Sequence, residues 1–220
     1  MKTVPQNYPT HKIRQTGPER QSRTPFWRCS LPLTALLTAG CSDILTPGGD
    51  TLTTANLLIL AQQPGAPAPA EGSFYVVNSR VSTHSVVHPD QFNNSYLTVR
   101  FPGGCVSQVG GLAVGAADSA VVTVRPRQGS YGMTLLPDDL TLTDSCGATA
   151  TFTFGRYGDL SVADRSSTYL DRAAYAAALN IWREISPTRW QVVPGSGPSG
   201  NDAVTGMVQS GGMYVLAAPR

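Results

Sequence analysis

The chain has 220 residues, of which the roughly 148 from Ser73 to Arg220 suit one domain of ordinary size, and it carries 16 Lys plus Arg against 14 Asp plus Glu. Six of the basic residues (Lys2, Lys12, Arg14, Arg20, Arg23 and Arg28) face Glu19 alone, so from Cys41 onward 10 basic and 13 acidic side chains remain. No Lys follows Lys12. This excludes Schiff-base lysine chemistry from the body of the chain and leaves no basic run for nucleic acid.

The first element is a leader. Basic residues end at Arg28, an apolar run spans Leu31 to Gly40, and small residues precede Cys41. That order predicts an export signal over residues 1–40. The apolar run is about half of a membrane-spanning helix and contains Pro32. Leu36-Leu37-Thr38-Ala39-Gly40-Cys41 resembles the lipobox of bacterial lipoproteins, with Thr38 where that family prefers Leu. The resemblance implies a diacylglycerol on the thiol of Cys41 and attachment to a membrane through it. Ser42, in place of Asp, implies the outer membrane where there are two. The alternative is cleavage without lipid and a soluble secreted protein.

Of four cysteines, Cys29 falls in the leader and Cys41 at its end. Cys105 and Cys146 remain as an even pair in an oxidising compartment, which predicts a disulfide; the rival is two buried thiols. No Cys/His spacing suggests a metal.

Residues 41–72 are rich in Pro, Gly, Ala and Thr and read as a disordered tether. Leu57-Leu58-Ile59-Leu60 interrupts it, either as an edge strand added to the domain or as an apolar patch in a linker. Residues 73–220 read as one antiparallel, Ig-like β-sandwich. The expected strands are 74–77, 81–87, 96–101, 120–124, 133–136, 149–154, 178–184, 190–193, 203–209 and 213–217. A short helix is expected at 169–177, where apolar spacing turns helical and alanine is dense. Ser186-Pro187-Thr188 predicts a hairpin turn.

The stretch from Val121 resembles the ZU-five domain of zonula occludens and netrin-receptor proteins. Val122–Pro126, Tyr131–Thr134, Leu136–Leu142 (with Asp139 where glycine is usual), Ala148–Phe154, Asn180–Glu184, Trp190–Val193, 202–208 and Met213–Leu216 carry the likeness. It implies a β-sandwich. Trp182 and Trp190 are expected to face one another across the hairpin as core aromatics, and Tyr214 to pack inward or cap a strand end. Some relatives cleave themselves before the last strand, but Gln209-Ser210-Gly211-Gly212 offers Ser210 no histidine.

Other polar groups have bland readings. His84 and His88 lie on one strand face, too far apart to share a metal, and are expected to be exposed. Arg125, Arg127 and Arg156 read as solvated edge charges. Asp138, Asp139 and Asp144 lack the periodicity of a calcium loop. No GxSxG elbow appears. These readings predict no catalytic residues, no metal and no cofactor. They suggest a monomeric envelope protein that binds a protein or glycan without catalysis, with a secreted hydrolase of dispersed site as the alternative.

Overall fold

A computed structural model describes residues 50–200 and 202–220. The expected leader, its expected cleavage site and Cys41 lie outside the described residues.

The elements in chain order open with β1 (Thr51–Thr53), β2 (Leu57–Ile59), β3 (Ala61–Gln62), β4 (Gly72–Val77), β5 (Ser82–Val87) and β6 (Ser95–Phe101). Then come β7 (Val106–Val109), β8 (Leu112–Ala113), β9 (Ser119–Pro126), β10 (Gly132–Leu136), β11 (Thr141–Leu142), β12 (Thr149–Thr153) and β13 (Gly158–Asp159). A 3-10 turn (Leu160–Arg165) and α1 (Arg172–Ala177) follow. The last are β14 (Asn180–Ser186), β15 (Arg189–Val192), β16 (Gly197–Pro198), β17 (Ala203–Met207) and β18 (Gly212–Pro219).

Two antiparallel sheets form the sandwich. The larger runs β1-β15-β14-β18-β10-β9-β4, with β2 also pairing to β18; the other runs β16-β17-β12-β6-β5. Their facing sides fill by strand alternation. Ala120, Val122 and Val124 of β9 point inward, as do Ala150 and Phe152 of β12, and the residues between them are exposed or half-buried. A β-bulge shifts the β5–β6 register between Val86 and Val87, and both Tyr96 and Leu97 are buried beside it. The Cys105–Cys146 disulfide is formed and ties the start of β7 to the turn after β11.

The ten expected strands are all present. The helix is shorter than expected because Asp171 caps it: its carboxylate accepts the Ala174 amide at 2.7 Å, leaving Tyr169 and Leu170 in the preceding loop. The hairpin turns at Pro187–Thr188, with Thr188 in the left-handed region at φ 70°.

The tether expectation requires correction over residues 50–72. Leu57, Leu58 and Ile59 pair with Pro219, Ala218 and Ala217, so the run is a strand added to the sheet. The Leu60 amide donates to Leu216 O at 2.9 Å, and Leu60 O accepts from Tyr131 at 2.8 Å. Leu58 and Leu60 enter the main core; Leu57 and Ile59 join a second cluster on the other side of the sheet. Burying a leucine contributes roughly 1.5–3 kcal/mol, which outweighs the freedom of a short linker. The Pro-rich stretch after it turns at Pro64–Gly65, with the Ala66 amide donating to Gln63 O at 3.0 Å, and then runs over 66–71 without regular structure. Here Gln63 bonds Tyr157 O and Gly158 O, and His88 bonds Pro67 O.

Trp182 and Trp190 are buried, but not as a facing pair. Trp190 opposes Glu184, and Trp182 opposes Val192, so the rings are offset by two residues on one face. With Leu57, Val215 and Ala217 they form the second cluster, on the opposite side of the sheet from Tyr214 and Leu216. Each indole N–H is satisfied, Trp182 by Ala217 O at 3.0 Å and Trp190 by Thr54 Oγ1 at 2.8 Å.

Candidate functional site

His84 and His88 occupy different settings, and neither is exposed. His84 of β5 stacks on Phe74 of β4, with ring centroids 4.4 Å apart and planes within 6°. Gly72 permits this, since a Cβ there would fall 2.5 Å from His84 Nε2. Partial burial lowers the His84 pKa below its ordinary 6.5.

His88, just past β5, is 1% exposed. Its Nδ1 lies 2.7 Å from Pro67 O; a carbonyl only accepts, so Nδ1 carries the proton. Its ring meets Tyr96 edge-on at 5.4 Å and Tyr157 at 4.5 Å. His88 Nε2, Ser130 Oγ and the Tyr131 hydroxyl are buried without a hydrogen-bond partner among the described residues. The Tyr96 hydroxyl donates to Gly132 O at 2.6 Å, and burial pushes its pKa up to about 12. Burial also pushes the Tyr131 phenol up.

The carboxylate nearest His88 in sequence serves the loop instead. Asp90 Oδ1 accepts the amides of Phe92 (2.9 Å) and Asn94 (3.1 Å), and Oδ2 accepts Asn94 Nδ2 (2.6 Å) and the Tyr157 hydroxyl (2.7 Å). The Asn94 side chain first, then Tyr157 and the two amides, hold Asp90 well below the usual carboxylate range. Both oxygens carry two donors, so Asp90 is a loop clamp, with no acid–base contact to His88. Arg156 sits 5.5 Å from the ring centres of both Phe92 and Tyr157.

The second distinctive place is the end of the larger sheet where the described chain begins. The start of β1, the start of β14, the end of β15 and the end of β18 meet there. Asp50, Thr51, Leu52, Asn180, Trp182 and Pro219 line an open recess of about 350 Å³. The loop before α1 joins the same end through the Tyr169 hydroxyl, which donates to Pro219 O at 2.5 Å. Beside Tyr169, Leu170 stands 96% exposed. Arg220 caps the end, its amide donating to Asn56 O at 2.9 Å.

The remaining singled-out residues do not converge. Ser210 Oγ donates to Gly211 O at 2.8 Å, and the Tyr214 hydroxyl donates to Ser210 O at 2.7 Å. Tyr214 therefore packs inward and also ties the turn before its own strand. Arg125 pairs with Glu71 at 2.5 Å on the surface, and Arg127 reaches Met213 Sδ at 3.1 Å. Among the described residues, no three His, Cys, Asp or Glu side chains approach closely enough to hold a metal.

No protein-family model, curated protein or solved structure matches this chain. The site reading therefore rests on geometry alone. Sequence reasoning singled out His88 but missed its Tyr157 and Tyr131 neighbours, which come from the turn before β13 and the bend before β10 and leave no local pattern. It missed Leu170 as a surface residue because the helical spacing counted it inward.

Proposed function

We propose that this is an exported, lipid-anchored cell-envelope protein whose β-sandwich binds a partner or supports structure without catalysis. The observation that carries the reading is the pairing of two features of one chain. A leader of signal type ends at Cys41, and the domain after it holds a Cys105–Cys146 disulfide, a bond that persists in oxidising compartments. The lipid on Cys41 attaches the protein to the membrane, the outer one where there are two, and the partner is an envelope protein or glycan. The sandwich carries no cofactor and acts as a monomer. Its ZU-five likeness rests on the strand motifs from Val121 to Leu216. The non-catalytic reading is supported by the histidines: His84 is committed to Phe74, and His88 is sealed from solvent.

The mass of the mature N-terminus tests export and acylation together. A chain starting at Cys41 with a diacylglycerol adduct is expected. A chain that keeps Met1 would overturn export, and a cleaved chain without lipid would replace anchoring with secretion. Hydrolysis of ester, peptide or glycoside substrates by the pure domain, lost on His84→Ala or His88→Ala, would overturn the non-catalytic reading.

A further inference from the structure

We propose that the end of the domain bearing Asp50 is held against the bilayer and that Leu170 is its contact residue; this rests on the lipid-anchored reading. The argument begins with chain length. Residues 41–72 as a free tether would span on the order of 100 Å. The described fold instead includes Asp50, nine residues after Cys41. Nine residues span at most about 30 Å fully extended, and less on average. The end of the domain where β1 begins is thus the end nearest the acyl chains.

That end presents an aliphatic prong. Leu170 is 96% exposed in the loop before α1. The loop is held in place by the Tyr169 hydroxyl on Pro219 O and by the Arg172–Asp164 pair at 2.5 Å. Pro219 lines the same recess as Asp50 and Leu52. Leu170, 96% exposed beside a tyrosine on a fastened loop, can leave water for a membrane interface at that end. Charge does not drive the contact. Asp164 pairs with Arg172, Asp159 and Asp171 cap the 3-10 turn and α1, Arg165 and Arg220 line one recess together, and Asp50 lines the recess with Pro219. The occupant is therefore a lipid surface presented by the anchor itself, and zwitterionic lipid suffices.

The test uses the acylated protein in phosphatidylcholine vesicles containing spin-labelled lipid. One environment-sensitive dye is placed through Leu170→Cys and, separately, through Leu112→Cys. Leu112 is 75% exposed on the β7–β8 hairpin, which Asn78 fastens beyond the other end of β4. With Cys41 acylated and Cys105 bonded to Cys146, the introduced thiol is the labelled one. At least twofold quenching at position 170, with little at 112, is the expected result. Equal quenching at both, or none at 170, in protein whose acylation is verified by mass would overturn the proposal and leave the anchoring reading intact. Absence of the lipid by mass would overturn both.

Discussion

Replacing Leu60 with alanine tests whether residues 50–62 belong to the fold. Leu60 is fully buried in the main core, and its amide and carbonyl are bonded to Leu216 and Tyr131. Removing three carbons from this site forfeits about 2.4 kcal/mol of transfer free energy, at roughly 0.8 kcal/mol per carbon. Incomplete collapse of the cavity raises the expected loss to about 3 kcal/mol, within the usual range for such a change. One effect caps the global number. The segment 50–62 lies at the edge of the fold, and if it detaches before the rest, the global transition loses only its docking energy. Urea unfolding and native-state amide exchange are therefore read together. The expected result is a fall in stability of about 3 kcal/mol, or a smaller fall with lost protection at the Leu60 amide. Leu112→Ala, at an exposed position, should cost under about 0.5 kcal/mol. If Leu60→Ala behaves like Leu112→Ala, with protection unchanged, the strand assignment fails and the tether reading returns.

Three further outcomes follow from named contacts. The double variant Cys105→Ala/Cys146→Ala should lose about 4 kcal/mol, since the bond closes a loop across a separation of 41 residues; the Tm should fall by roughly 8–16 °C, and an unchanged Tm under oxidising conditions would remove the bond from the stability argument. The lowered pKa of His84 gives a signed pH effect. Stability is fully present above 6.5 and falls as pH drops from 6.5 through the lower folded-state value, because the unfolded chain binds the proton first. His84→Phe should flatten the Tm profile between pH 7.5 and 5, and a slope that survives it would assign the effect elsewhere. Gly211→Ala would put a Cβ 2.1 Å from Pro137 O, a backbone atom that cannot swing aside; a loss of about 2–3 kcal/mol is expected in chemical denaturation.

The central strands were legible because their alternation reports which side is buried. β9, with Ala120, Val122 and Val124 inward, and β12, with Ala150 and Phe152 inward, each read directly from period two. The cysteine pair was legible by elimination. Residues 50–71 were misread because composition weighs proline and glycine but does not record that Leu58 and Leu60 have a core to enter. The exposed histidines were misread for a similar reason. Whether His88 is covered depends on the Pro67 strap and on Tyr157, and neither lies near it in sequence. Leu170 shows the reverse error: helical spacing placed it within a helix from 169, and the Asp171 cap starts the helix three residues later, at Arg172.

The strand β18 is the keystone of assembly order. It pairs with β10 and β14 on its two sides and with β2 at its end, while β1 closes on β15. The first strands and the last are thus zipped together, with Pro219 opposite Leu57. Until residues 212–219 emerge, β10 and β14 have no common neighbour, and the Trp182 cluster lacks Val215 and Ala217. Such long-range pairing is slow and late to form. A chain that appears N-terminus first therefore closes its larger sheet only when β18 arrives, whereas the β16-β17-β12-β6-β5 sheet needs no strand beyond β17.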